Sequence, residues 1–236
     1  MCGRYASAKS IDLIAGHFGA ADVDDQLVPP GFNVAPTDLV PVVVERAGRR
    51  LVSGMRWGLV PPWAANPSIG ARLINARVET LGERPVFRTP LAARRALVPA
   101  DAYYEWYIGP GSPKQPHAIV REDGELLAFA GLWERWRSTA GEELLSCTIV
   151  TMASAGAVAY LHDRMPVVLP PELWDDWLDP GRCAPGEALA LLAAAGVPEL
   201  VEYPVSNRVN DVRAEGPDLL EAVAPLVGPE QLDLLS

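Results

Sequence analysis

The sequence predicts an α+β fold: one domain spanning residues 1–236, built on a mainly antiparallel, barrel-like β-sheet with peripheral helices. Three observations lead there. Strand-like segments rich in β-branched and aromatic residues outnumber helical ones. They follow one another without the regular strand–helix rhythm that a doubly wound parallel sheet requires. Finally, 23 scattered prolines divide the chain into many short elements. At 236 residues and 49% hydrophobic, the chain can bury one sizeable core or two small ones. It contains no internal repeat, no low-complexity tract and no linker long enough to separate domains.

Taken in order, residues 10–18 read as a short helix stopped by Gly19. Residues 39–45 and 49–54 flank Arg46-Ala47-Gly48 and resemble a hairpin. Further strands are expected at 96–99, 103–108, 117–121, 126–133, 144–152, 167–169 and 201–206. Helices are expected at 78–81, 153–161, 171–178 and 186–195. The last is rich in alanine and leucine and is stopped by Gly196, with Pro198 just beyond. Trp133 and Trp136 are expected in the core. Trp174 and Trp177, three apart on a helix, are expected to pack inward.

A net charge of −10 weighs against nucleic acid on first reading, but the charge is unevenly placed. Residues 1–100 carry 12 basic and 8 acidic side chains, whereas residues 101–236 carry 8 basic and 22 acidic. Eighteen of the 20 basic residues are arginine, which suits bidentate phosphate contact. A coding bias toward Arg, Ala and Pro fits the same composition, so charge alone decides nothing. The three cysteines, Cys2, Cys147 and Cys183, show neither a disulfide framework nor metal-ligand spacing. Cys147 lies in an apolar run and reads as a small buried hydrophobe. No apolar run approaches a membrane span, and the first thirty residues lack the apolar core of a signal peptide. A cytoplasmic chain without metal or other cofactor is expected.

Cys2 stands out by its place. Methionine aminopeptidases trim Met1 when a small residue follows, which leaves an α-amine and a thiol on one residue. Such a 1,2-aminothiol adds to an aldehyde twice, first through nitrogen as an imine and then through sulfur as a thiazolidine ring. The amine ordinarily titrates at about 7.7–8.0 and the thiol at about 8.5, so a modest shift would activate both near neutral pH. Glu105, between Tyr104 and Trp106, is either an outward-facing strand residue or a carboxyl desolvated by its neighbours into a general acid/base. His162 is either a helix cap or an imidazole oriented by Asp163. Asn75 is a candidate cap for the short helix that follows it.

Four segments carry these residues: Met1-Cys2-Gly3-Arg4-Tyr5, Leu73-Ile74-Asn75-Ala76-Arg77-Val78-Glu79-Thr80, Ala102-Tyr103-Tyr104-Glu105-Trp106 and Leu161-His162-Asp163-Arg164-Met165-Pro166. Together with Phe32-Asn33-Val34-Ala35-Pro36, Arg56-Trp57-Gly58-Leu59-Val60-Pro61, Ala130-Gly131-Leu132-Trp133-Glu134 and residues 205–210, they resemble the SOS-response-associated peptidase family, the abasic-site processing proteins. The resemblance runs in order along essentially the whole chain. It departs at Ala96, where the family often has cysteine, in what reads as a buried strand.

The resemblance implies covalent capture of abasic sites in single-stranded DNA by Cys2, with Asn75, Glu105 and His162 lining the site. Glu105 would open the closed sugar to its aldehyde, Asn75 would hold the captured sugar, and His162 would move protons. Arg4, Arg77 and Arg164 would meet the phosphates flanking the lesion, and Pro36, Trp63 and Trp106 would line the DNA path. For each arginine, an intramolecular salt bridge is an equal alternative. The implied partner is single-stranded DNA, for a monomer that acts at the nucleoid on damage; the acidic half either repels DNA or docks a partner in the replication machinery. Two other readings stay open. One is an N-terminal-cysteine peptidase or amidohydrolase, including self-removal of Met1 assisted by Glu105. The other is a non-covalent single-strand binding module.

Overall fold

Hairpin formation at Ala47-Gly48 sets the first half of the barrel. Both residues have positive φ, 51° and 72°, which matches the right-handed twist of the flanking strands and suits glycine at the second place. The computed structural model describes residues 2–24, 28–109 and 113–226. Its strands are β1 (Tyr5–Ser7), β2 (Asp22–Val23), β3 (Gly31–Val34), β4 (Leu39–Arg46), β5 (Arg49–Trp57), β6 (Asn75–Arg77) and β7 (Arg95–Ala100). They continue with β8 (Ala102–Tyr107), β9 (Gln115–Arg121), β10 (Leu127–Arg137), β11 (Glu143–Ala153), β12 (Arg164–Pro166) and β13 (Leu200–Pro204). Its α-helices are α1 (Ile11–Phe18), α2 (Pro85–Ala93), α3 (Trp174–Leu178) and α4 (Pro185–Ala194). Among the described residues, no helix is long and apolar enough to cross a membrane.

Strands β11, β10, β7, β4 and β5 pair in that order, and a parallel contact of β11 with β5 (Ser146↔Arg56, Cys147↔Trp57) closes the ring. The result is a closed five-strand mixed barrel, antiparallel except at that seam. A second, antiparallel sheet follows the order β13-β9-β8-β1-β3. Barrel strands are buried on both faces, which explains their nearly unbroken apolar runs. Alternate residues go to different cores. Val43, Leu97, Ala128 and Ala130 pack with the helices, whereas Val42, Val44, Val98 and Phe129 pack against Cys2, Tyr5 and Tyr103 of the second sheet. The outer face of that sheet, with Ala6, Tyr104 and Ala118, is covered by Val205, Val209 and Leu219.

The expected helices and strands are recovered with three differences, and β1, β2, β3, β6 and α2 are further elements that sequence patterning did not indicate. Residues 153–161 do not form a helix: β11 runs through Ala153, and only a 3-10 turn at Gly156–Val158 follows. The strand expected at 167–169 lies three residues earlier, as β12. Residues 167–169 instead thread between β10 and β11, with Val167 N donating to Val150 O at 2.9 Å and Ala130 N to Val167 O at 2.8 Å. The segment expected as a helix at 78–81 is a 3-10 turn at Val78–Thr80, capped by Arg77 rather than by Asn75. Helix α2 was hidden by its two prolines. Pro85 opens its first turn, where φ is already helical, and Pro90 faces the core beside Phe87 and Leu91. The expected burial of Ala96, Cys147, Trp133, Trp136, Trp174 and Trp177 is observed.

Motif residues that looked functional turn out to hold the frame. Gly58 (φ 125°) lets the 3-10 segment Pro67–Arg72 cross the end of β5; a Cβ there would come within 2.6 Å of Gly70 O. Asn33 is buried and donates to Asp211 O at 2.9 Å and Ala214 O at 3.1 Å, tying residues 209–214 to β3. Arginines of the basic first hundred residues are largely engaged within the fold. Arg95 is buried and gathers the carbonyls of Leu91 (3.1 Å), Asp179 (2.9 Å), Cys183 (2.9 Å) and Trp177, closing the C-terminal ends of α2 and α3. Arg46 lies over Trp133 at 4.8 Å, and Arg49 pairs with Asp22 at 2.8 Å. Replacing Arg95 by Met strands several buried carbonyls, so Arg95→Met is expected to lower unfolding free energy by about 3 kcal/mol. A urea titration with an unchanged midpoint would contradict that role.

Candidate functional site

Strand β1 is short, yet it fixes where the chain begins. It pairs with β8 in the register Tyr5↔Tyr103 and Ala6↔Ala102, and Tyr104 N donates to Arg4 O at 3.0 Å. Extending this register carries residues 2 and 3 past Glu105. Side chains of β8 alternate: Tyr104 faces the C-terminal segment, while Tyr103 and, two residues on, Glu105 face the barrel side. Cys2 is in that same buried cluster, fully shielded from solvent.

A second construction reaches Cys2 from the barrel. The end of β11 projects past the ring and is gripped on one edge by β6 (Ile149↔Asn75, Thr151↔Arg77) and on the other by β12 (Thr151↔Pro166, Ala153↔Arg164). One strand end thus assembles Asn75, Arg77 and Arg164, with His162 and Asp163 just ahead of β12. Asn75 Nδ2 donates to Cys2 O at 2.7 Å. The amide that sequence reading considered as a helix cap therefore pins the first residues of the chain. Asn75 Oδ1 and the hydroxyls of Tyr5 and Tyr103 are buried acceptors with no partner among the described residues. They are hydrogen-bonding capacity beside Cys2 that the described residues leave unused.

Burial governs the titration of these groups. Glu105 is only 5% exposed, and loss of solvation pushes its carboxyl up to about 7. Burial also pushes the Cys2 thiol up, and the nearby Glu105 charge adds to the effect. This corrects the expectation of a thiol primed near neutral pH: in this setting the thiol is held protonated. Burial draws the His162 imidazole down; its Nδ1 accepts from Arg164 N at 2.9 Å and lies 2.7 Å from Asp163 Oδ1. His162 therefore belongs to the turn that leads into β12, not to a helix end.

The arginines divide. Arg77 is exposed. Arg164 is engaged inside the chain, its guanidinium holding both oxygens of Glu79 at 2.6 and 2.9 Å and Thr151 O at 2.7 Å. Arg4 is buried and donates to Val209 O at 2.6 Å. Neither Arg4 nor Arg164 stands open to a phosphate. Trp106 is half-buried, donates to Asn210 Oδ1 at 2.7 Å and carries the Lys114 ammonium 5.2 Å from its ring centre. Trp63 is 67% exposed beside a cleft of about 540 Å³ lined also by Asn66, Ser68, Ile69 and Arg72. Pro36 is half-buried beyond β3. The described contacts join Cys2, Asn75, Glu105 and the His162–Arg164 turn to one another but do not bring Pro36 or Trp63 into that cluster. Lys114 and Asn210 were not singled out from sequence; a lysine just before a strand and an asparagine ending a 3-10 turn give no pattern. Among the described residues, no group of three or more His, Cys, Asp or Glu is placed to hold a metal ion.

Fold and site define a closed mixed barrel that carries its second residue, a cysteine, against a buried carboxyl group. A family model described as SOS response associated peptidase (SRAP) matches residues 1–212, and the chain belongs to that family. It is 37% identical over 227 residues to the abasic site processing protein YoqW of Bacillus subtilis, covering 94% of this chain and all of that one. It is 32% identical to the abasic site processing protein YedK of Escherichia coli, again over 94% of this chain and all of the relative. The mouse abasic site processing protein HMCES is 31% identical over 85% of this chain and 67% of its own length. A crystal structure of a Bacteroides thetaiotaomicron protein has the same fold, with a TM-score of 0.80 at 23% identity, over 94% of this chain and all of that one.

A pH dependence follows. For an acid whose folded-state pKa is raised from 4.5 to about 7, ionisation weighs against folding. Stability falls as pH rises through that window. Glu105→Gln is therefore expected to match wild type at about pH 4 and to exceed it above pH 7. Parallel denaturation curves for the two proteins across this range would contradict a buried, up-shifted carboxyl.

Proposed function

We infer that this protein captures abasic sites in single-stranded DNA covalently, through the amine and thiol of Cys2 once Met1 is removed. The observation that carries the reading is the placement of Cys2 in one buried cluster with a carboxyl that titrates near neutrality. The names of the relatives, abasic site processing proteins, support the substrate class.

The chemistry divides among the residues by charge. A closed abasic sugar needs a proton on its ring oxygen to open, and Glu105, half-protonated near pH 7, supplies it. The resulting carboxylate then accepts a proton from the attacking amine. Nitrogen bonds to the aldehyde carbon, water leaves, and an imine remains. The sulfur adds to the same carbon while its proton passes to nitrogen, which closes the thiazolidine. Because burial holds the thiol protonated, nitrogen attacks first and sulfur second. Asn75 fixes the Cys2 backbone through its carbonyl and keeps a buried, unpartnered Oδ1 as an acceptor for the opened sugar. His162, held by Asp163, serves proton transfer during ring closure. Exposed Arg77 and Trp63 meet the DNA backbone and bases, whereas Arg4 and Arg164 act by holding the frame.

Incubating mature protein with a single-stranded oligonucleotide bearing one abasic site is expected to give a species that survives denaturing electrophoresis. Cys2→Ala is expected to give none, and Glu105→Gln to form it at least about a hundredfold more slowly. Equal yield from Cys2→Ala would refute the reading. Arg77→Ala is expected to weaken non-covalent binding across sequences and to reduce the slope of log affinity against log salt by about 1. An unchanged slope in fluorescence anisotropy would remove Arg77 from the DNA contact.

A further inference from the structure

His117 was not singled out from sequence, yet it occupies a defined place beside Glu105. On the second sheet Glu105 pairs with His117 across β8 and β9, and His117 pairs with Pro204 across β9 and β13. Glu202, two residues before Pro204, shares its face. A row of three titratable side chains thus crosses three adjacent strands on the barrel-facing side of the sheet: Glu105, His117, Glu202. Directly opposed residues bring their Cβ atoms to about 4.5–5.5 Å, so the imidazole borders the Glu105 side chain.

The outer half of the row is built from direct contacts. His117 Nδ1 bonds Glu202 Oε2, and the Tyr160 hydroxyl donates to Glu202 Oε1 at 2.6 Å. Rings of Tyr107 and Tyr160 pack edge-on to the imidazole, each with centroids 6.4 Å away, and fix its plane. Exposure rises in steps along the row. Glu105 is 5% and His117 8% exposed, the Glu202 side chain 23%, and Tyr160 53%. Other charged and titratable groups facing Glu105 include Cys2, Tyr103, Lys114 and the His162–Asp163 turn. The row through His117 runs from strand to strand to an exposed end at Tyr160.

We propose that Glu202 and His117, oriented by Tyr160 and Tyr107, form a proton path between solvent and the buried Glu105 carboxyl. The inference rests on the acid/base role given to Glu105 above. In the inward transfer, a proton from the Glu202 carboxyl passes to His117 Nδ1 as the Nε2 proton passes to the Glu105 carboxylate. The outward transfer is the reverse, and solvent resets Glu202. No other bond changes. The path recharges Glu105 from an exposed end, so the carboxyl can act as an acid and then as a base within one capture event.

The test is the single-turnover rate of adduct formation with an abasic oligonucleotide, in weak buffer, with protein in excess. His117→Phe is expected to slow it about tenfold or more. Affinity for an oligonucleotide whose abasic aldehyde has been reduced is expected to stay unchanged, and rising concentrations of imidazole buffer are expected to restore the rate. Glu202→Gln is expected to show the same slowing and the same rescue. A folded His117→Phe protein that reacts at the wild-type rate overturns the proposal. So does slowing that imidazole does not relieve, which marks the His117–Glu202 pair as a structural tie. If His117→Phe fails to fold, Glu202→Gln decides by the same two readings. Failure of the underlying reading looks different: wild type gives no adduct, or Glu105→Gln reacts as fast as wild type.

Discussion

The pairing of β1 with β8 is the constraint on which the rest depends. Two residue pairs, Tyr5↔Tyr103 and Ala6↔Ala102, set the register that aligns the start of the chain with Glu105. A slip of one residue would turn Tyr5 outward and Ala6 inward, and would change which of the first residues lies against Glu105. The register is held by packing rather than by strand length. Tyr5 meets Trp57 edge-on at 5.1 Å and Phe129 at 6.1 Å, both of them barrel residues. Asn75 adds a tie on the Cys2 carbonyl from the opposite side. A three-residue strand is thereby placed by the whole barrel behind it.

Burial then does two things at once. It stabilises the cluster that seats Cys2, and it withholds solvent from every ionisable group there. Desolvation favours neutral forms, so the acid becomes a proton donor near pH 7 and the thiol stays protonated. In the proposed capture, the nitrogen of the first residue is then the leading nucleophile, and the order of bond formation follows from the low-dielectric environment. The same sealing explains why a route for protons along β8, β9 and β13 has value.

Much of this was legible in sequence where periodicity and punctuation agree. Ser10 and Gly19 bracket α1 as cap and left-handed stop, and Ala47-Gly48 marks the β4–β5 turn. Runs such as residues 126–133 announce strands buried on both faces. Closure of the ring was not legible, because it depends on a parallel contact between residues ninety apart, Arg56 and Ser146. Helix α2 was masked by prolines that in fact occupy its first turn and its core face. At the site, Glu105 stood out because a carboxyl between aromatics conflicts with its surroundings, and Cys2 because of its position. The arginines could not be told apart: Arg95 and Arg164 look the same in sequence as Arg77, yet buried carbonyls and Glu79 claim them. His117 gave no local signal, since its partners Glu202 and Tyr160 are 85 and 43 positions away.

Intact-mass spectrometry after reaction with an abasic oligonucleotide tests the central claim most directly. The account requires a chain lacking Met1 whose mass increases by that of the oligonucleotide less one water, with the added mass mapping to Cys2 after digestion and its thiol no longer open to alkylation. A chain that keeps its first methionine and still gains the adduct, or an adduct that leaves the Cys2 thiol free, would contradict it.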